Sequence, residues 1–170
     1  MVTHDLAELL AGDDLRSLGR SSEIISLISD QHSFDALFTY VYSENRAIVM
    51  KTVDLIEKIT LKHTKYLHKH REEILKISDE AENIELKWHL AQILARIHYT
   101  KDEIKIVWKI LEKWVANKNE SKIVRVNALQ SLYEIVKTNS EYQSTLNIIV
   151  NTIKQENIAS LHARIKKLGL

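Results

Sequence analysis

Of the chain's eight histidines, three fall in the stretch LKHTKYLHKHREE as His63, His68 and His70. Imidazole is a frequent metal ligand, so the first question is whether the three rings converge. On a continuous helix His63 and His70 share a face, but His68 is turned about 140° away at roughly 100° per residue. Zinc sites require a closed ligand set. The spacing fits polar, core-flanking histidines at a helix junction, and no metal is expected. The chain has no cysteine, which excludes disulfides, thiolate metal sites and a cysteine nucleophile. No glycine-rich phosphate loop, HExxH or GxSxG is present, and scattered serines and histidines do not by themselves define a triad. The most basic local cluster, His162, Arg164, Lys166 and Lys167, fits cations in the last turns of a helix, where they meet its partial negative charge. The expectation is a protein that is not an enzyme and holds no cofactor.

The elements that carry these residues are helical. Three glycines and no proline in 170 residues lie well below the usual about 7% and 5%. A β-sandwich or doubly wound sheet needs such residues at its corners, whereas helices joined by Asn, Ser, Asp and Lys do not. The class is all-α. The length fits one domain. Net charge is +1, from 24 basic and 23 acidic residues, so no global field draws the chain to nucleic acid or an anionic membrane. The stretch MVTHDLAELLAGDDLRSLGR carries acids where a signal peptide needs a basic start. No apolar run approaches the roughly 20 residues of a membrane span. A cytoplasmic protein is expected, with no membrane contact.

A repeat organises the helices. Ile48, Leu86 and Val124 stand 38 residues apart. In the same register lie Thr52/Leu90/Ala128, Val53/Ala91/Leu129, Ile56/Leu94/Leu132 and Ile59/Ile97/Ile135. Offsets of four, eight and eleven fall on one side of a helix, so each copy carries a buried stripe. A second register, Leu37/Ile74/Leu111/Val150 with Tyr40/Ile77/Trp114/Ile153, steps by 37, 37 and 39 residues. Each unit is therefore a helix pair. The pattern predicts helices at 3–11, 21–30, 34–42, 45–62, 64–77, 84–98, 101–116, 122–138, 141–155 and 158–168. Thr100-Lys-Asp-Glu103 and Ser140-Glu-Tyr-Gln143 read as capping boxes at first-helix starts. Residues 1–33 lack the register and are expected to form an N-terminal helical cap on the array of residues 34–170, because the end of a stack has an uncovered apolar face.

Paired helices at this period, with second helices opening LKWHLAQILARI and IVRVNALQSLYEI, resemble HEAT repeats. Lys87 and Arg125 fall on the basic position of that motif, and Ala128 and Leu129 on its small-then-leucine positions. The resemblance spans Phe34 to about Leu168 as four pairs. It departs from the motif in lacking proline in the first helices, in having Val49 at the basic position of the first copy, and in an out-of-step fourth pair. It implies a right-handed α-α superhelix of the HEAT or armadillo-like kind that holds partners along a curved surface.

In such an array the second helices line the concave side. Positions turned away from the stripe are Lys51, Asp54, Lys58, Trp88, His89, Gln92, Arg96, Asn127, Gln130, Glu134 and Lys137. Mixed charge with a large aromatic suits protein recognition, in which Trp and Arg are frequent anchors. Trp88 could equally wedge between repeats. Some HEAT-like proteins are DNA glycosylases with a carboxylate and tryptophans in a basic cleft, for which Asp54 and Trp88 are the matching pair here. A duplex-binding face should neutralise several phosphates, and this one has only a mild basic bias. A noncatalytic scaffold for a protein partner is the leading expectation, with nucleic-acid binding as the alternative and self-association through the array ends as a third mode.

Overall fold

The computed structural model describes residues 2–11 and 18–170, with side chains from 6–11 and 21–170. Every regular element among them is helical. The α-helices are α1 (Val2–Ala11), α2 (Leu18–Leu27), α3 (Gln31–Phe38), α4 (Arg46–Thr60), α5 (Arg71–Glu80), α6 (Ile84–Leu94), α7 (Lys101–Ala116), α8 (Lys122–Val136), α9 (Gln143–Lys154) and α10 (Ala159–Leu168). None is long and apolar enough to cross a membrane. The chain divides into two compact units, Met1–His70 and Arg71–Leu170.

In the first unit α4 is the central element, touching α1, α2 and α3. Its stripe residues Thr52, Val53, Ile56 and Ile59 are all buried. Asp30 starts α3 with a capping box: its carboxylate accepts from the Ser33 amide at 2.8 Å, and the Ser33 hydroxyl accepts from the Asp30 amide at 3.2 Å. Asn45 caps α4 by accepting from the Ala47 amide at 2.9 Å. The helix expected over 64–77 begins instead as a 3-10 segment, Thr64–His70, and turns α-helical at Arg71. Within this segment the Tyr66 carbonyl accepts from Gln31 Nε2 of α3 at 3.1 Å. The helix expected over 34–42 likewise ends at Phe38 and continues as the 3-10 turn Thr39–Tyr42.

In the second unit odd- and even-numbered helices pack as two rows. One row is α5 against α7 and α7 against α9; the other is α6 against α8 and α8 against α10. Rungs join α5 to α6, α7 to α8 and α9 to α10. Stripe residues Leu90, Ala91, Leu94 and Ile97, and their counterparts Ala128, Leu129, Leu132 and Ile135, are all buried. Small side chains matter at the α6–α8 crossing: Ala91 and Ala128 are fully buried, and Ser131 Oγ reaches across to donate to the Ala91 carbonyl at 2.6 Å. At such fully buried positions a larger side chain would overpack the crossing.

One of the two expected capping boxes forms. Thr100 and Glu103 bond reciprocally, the Thr100 amide donating to Glu103 Oε2 at 2.8 Å and the Glu103 amide to Thr100 Oγ1 at 3.3 Å. The box expected at Ser140–Gln143 does not form. Ser140–Tyr142 is a 3-10 turn, α9 starts at Gln143 without a side-chain cap, and Gln143 Nε2 donates along the helix to Asn147 at 2.9 Å. Asn139 sets this turn: its side chain donates to the Ile135 carbonyl at 3.1 Å, and its own carbonyl accepts from the Tyr142 amide at 3.1 Å. At the other end of the unit Gly169, with φ of 72°, closes α10. The Leu170 amide then returns to the Ile165 carbonyl at 3.2 Å, a closure that favours glycine.

Candidate interaction surface

Residues expected on the exposed side of the second helices divide between the two units. On α4, Lys51, Asp54 and Lys58 are half-buried. Lys51 Nζ donates to the Leu10 carbonyl at 3.1 Å, placing a cation at the C-terminal end of α1. Lys58 and Asp54 pair at 2.5 Å along one helix face. Both pairings are local, and they tie these side chains to their own unit.

The expected set on α6 and α8 is not uniformly exposed. His89 is buried at 6% exposure, correcting its assignment to the open face. Its neighbour Trp88 is half-buried, with ring centroids 4.8 Å from His89 at an angle of 38°. Gln92 on α6, Arg96 in the turn after it, where the helix expected over 84–98 has already ended, and Asn127, Gln130 and Glu134 on α8 are half-buried. A hydrogen-bonded chain holds the α8 members. Arg164 of α10 donates to Gln130 Oε1 at 2.8 Å, Gln130 Nε2 donates to Glu134 Oε1 at 2.7 Å, and Lys137 pairs with Glu134 Oε2 at 2.7 Å. Arg164 thus leaves the basic tail cluster for this network, while Lys166 and Lys167 stay exposed in the last turn of α10.

The histidines of the 63–70 segment are held differently from one another. His70 is buried, stacks on Phe38 at 3.9 Å between centroids, and lies with Nε2 2.7 Å from Asp35 Oδ1. His63 stacks on Tyr66 at 5.3 Å and is exposed, as is His68. Burial alone would raise the Asp35 carboxyl. Hydrogen bonds from Gln31, Lys69 and His70 outweigh it and bring the pKa down to about 2.

Two ion pairs place charge deep in the second unit at matching positions. Arg125, on the first turns of α8, is fully buried; its Nε donates to the Val115 carbonyl at 2.8 Å, and its Nη1 and Nη2 donate to the two Glu156 oxygens at 2.8 and 2.9 Å. Lys87, at the equivalent place on α6, pairs with Glu120 at 2.6 Å. In each pair a base on one second helix binds an acid in the turn before the next one. The Arg125 hydrogen bonds hold the Glu156 carboxyl below its ordinary range against the opposing effect of burial.

A third polar cluster lies at the starts of α5 and α7. Arg71 Nε is 2.7 Å from Glu103 Oε1. The Thr100 amide, foremost, then its hydroxyl and Arg71 lower the Glu103 carboxyl while burial opposes them. The Tyr99 hydroxyl is buried with no hydrogen-bond partner. Burial first, then the Glu103 charge, raises it well above the usual phenol range, with Arg71 pulling the other way.

Glu120 and Glu156 are the residues that the repeat register passed over. The signal was present, since Glu82, Glu120 and Glu156 stand 38 and 36 residues apart in the turns before α6, α8 and α10. The apolar stripes do not locate these acids, because the acids belong to the turns between helices. Compared with protein-family models, curated proteins and solved structures, the chain matches none of them.

Proposed function

We propose that the helix pairs of residues 71–170 are HEAT-like repeats, and that the protein is a noncatalytic scaffold that binds a protein partner on the face of its second helices. The observation that carries this reading is the set of half-buried residues on the adjacent helices α6, α8 and α10 and in the turn after α6. Trp88, Gln92 and Arg96, then Asn127, Gln130 and Glu134, then Arg164 offer donors, acceptors, both signs of charge and an aromatic anchor. The bonds through Gln130 hold part of that set in one conformation before any partner arrives. Preorganised side chains lose less entropy on association, which is where affinity per contact comes from. The Lys87–Glu120 and Arg125–Glu156 pairs support the same reading, because each ties a second helix to the turn leading into the next.

A photo-crosslinking residue at Gln92 or Asn127 tests this, with one at the exposed Lys101 of α7 as control. The two second-helix sites should capture the same protein, and Trp88→Ala/Arg96→Ala should reduce that capture at least tenfold while the far-UV spectrum stays unchanged. Capture at Lys101 alone would refute the assignment of the face. So would retention of nucleic acid in place of protein, with the steep salt dependence of phosphate neutralisation.

A further inference from the structure

A second surface lies on the opposite row of the same unit, in the groove between α5 and α7. Its lining is Leu75, Lys76 and Asp79 from α5 and Ile106, Lys109, Ile110 and Lys113 from α7. The spacing on α7 puts all four of its residues on one helix face, since positions three, four and seven apart are neighbours. Leu75 and Ile110 form a buried floor, while Ile106 stands 47% exposed beside it. Lys76, Lys109 and Lys113 are exposed around this floor, with Asp79 as the one acid.

A single exposed isoleucine is ordinary. Here the exposed isoleucine continues an apolar floor in an open recess of about 380 Å³, which leaves room for apolar side chains. The rim then selects among occupants. Three cations to one anion is a local bias in a chain whose overall charge is only +1. No aromatic ring lines the groove, so it lacks the stacking platforms on which single-stranded nucleic acids rely. Two antiparallel or parallel helices leave between them a trough that accepts a third helix, whose apolar residues at i, i+3, i+4 and i+7 fill the floor while its flanks meet the rim.

We infer that the α5–α7 groove docks an acidic amphipathic helix of a partner protein, its apolar stripe seated on Leu75, Ile106 and Ile110 and its Asp or Glu flanks facing Lys76, Lys109 and Lys113. This surface is separate from the face of α6, α8 and α10, so either assignment stands or falls alone. Rim charges in such a site act mainly on association rate and specificity, and the apolar contacts on residence time.

The test is a displayed library of amphipathic helical peptides whose polar positions range from all-Glu to all-Lys, selected against the full chain. Enrichment should favour acidic flanks with an unbroken apolar stripe. Measured by fluorescence anisotropy, a selected peptide should bind Ile106→Glu at least tenfold more weakly than the native chain. Lys109→Glu/Lys113→Glu should have a similar effect and should flatten the dependence on salt, which screens the rim. All three positions are exposed, and an unchanged far-UV spectrum verifies the fold of each variant. Selected peptides without acidic bias, or with unchanged affinity for Ile106→Glu, would overturn the proposal. Binding of anionic vesicles or single-stranded DNA that is lost in the lysine variants but unmoved by Ile106→Glu would also overturn it, by assigning the lysines to plain anion attraction.

Discussion

Replacing Glu156 by Ala should unfold the second unit far more readily than any surface substitution, and the size of the loss follows from what it strands. Arg125 has no exposed surface and makes three charge-assisted hydrogen bonds, two of them to Glu156. Without Glu156 the guanidinium keeps only the Val115 carbonyl, and a fully buried cation is left without its carboxylate. Removing one partner of a buried pair costs about 3–5 kcal/mol, most of it the penalty on the partner left behind. Removing both should cost much less. In Arg125→Met/Glu156→Leu no charge is stranded, and well-packed apolar replacements for buried pairs are often close to neutral. The assay can be confined to the relevant unit, because Trp88, Trp108 and Trp114 all lie in residues 71–170 and no tryptophan lies outside them. Tryptophan fluorescence in urea therefore reports on that unit. With a urea dependence of about 2 kcal/mol per molar, Glu156→Ala should lower the midpoint by roughly 1.5–2.5 M. The double variant should recover most of that, giving a coupling energy of at least about 2 kcal/mol. A midpoint for Glu156→Ala within about 0.3 M of the native value, or a coupling below about 0.5 kcal/mol, would refute the reasoning.

Three further outcomes follow from individual residues. Asp35, Glu103 and Glu156 all have folded pKa values below their ordinary ones, so the stability they confer is complete above about pH 4.5 and is lost as pH falls. For Asp35 that loss runs from about 3.8 down to about 2; an acid titration by far-UV circular dichroism should slope through this window, and Asp35→Asn should remove part of the slope. Thr52 is fully buried on α4 with its hydroxyl unpartnered, so the near-isosteric Thr52→Val should raise stability by about 1 kcal/mol in urea unfolding; a destabilised variant would mean that the hydroxyl is satisfied in solution. Thr100→Ala removes the reciprocal cap of α7 and should cost about 1 kcal/mol, whereas Ser140→Ala, which disturbs no box, should lie within about 0.5 kcal/mol of native.

What the sequence revealed depended on whether a residue's role was periodic. The stripes Leu90–Leu94 and Ala128–Leu132 could be placed because burial on one side of a helix repeats every three to four residues, whatever lies around it. The Thr100 box was legible because both partners sit within one turn. At Ser140 the same local pattern misled, because Asn139 competes for the turn through the Ile135 carbonyl, a contact outside the four-residue motif. The start of α5 was illegible for a stronger reason. The 3-10 segment that precedes it carries Tyr66 and His70, which bond to Gln31 and Asp35 across 35 residues of chain, outside any local pattern. On the candidate surface, His89 was assigned outward by its helical angle, yet a position at the margin of the stripe is covered or open according to the bulk of neighbours that a helical wheel does not contain.

The buried Arg125 and the half-buried Lys87 show how a recurring register can encode more than a hydrophobic stripe. Lys87 and Arg125 stand 38 residues apart, and each meets its acid 33 or 31 residues downstream, just short of a full repeat. An apolar stripe specifies which side of a helix is covered but tolerates a shift along the neighbour by a turn, since one leucine replaces another at little cost. A bidentate guanidinium–carboxylate pair tolerates no such shift, because its geometry is fixed to within a hydrogen bond and its failure strands a buried charge. Stripe and ion pair thus do separate work: the first drives the helices of the second unit together, and the second fixes their register. The Lys87–Glu120 pair should be the weaker of the two. The lysine side chain is 15% exposed and makes one bond, where Arg125 makes three from full burial. Lys87→Met should therefore cost less in tryptophan-detected unfolding than Arg125→Met, and the reverse order would show that register is set elsewhere.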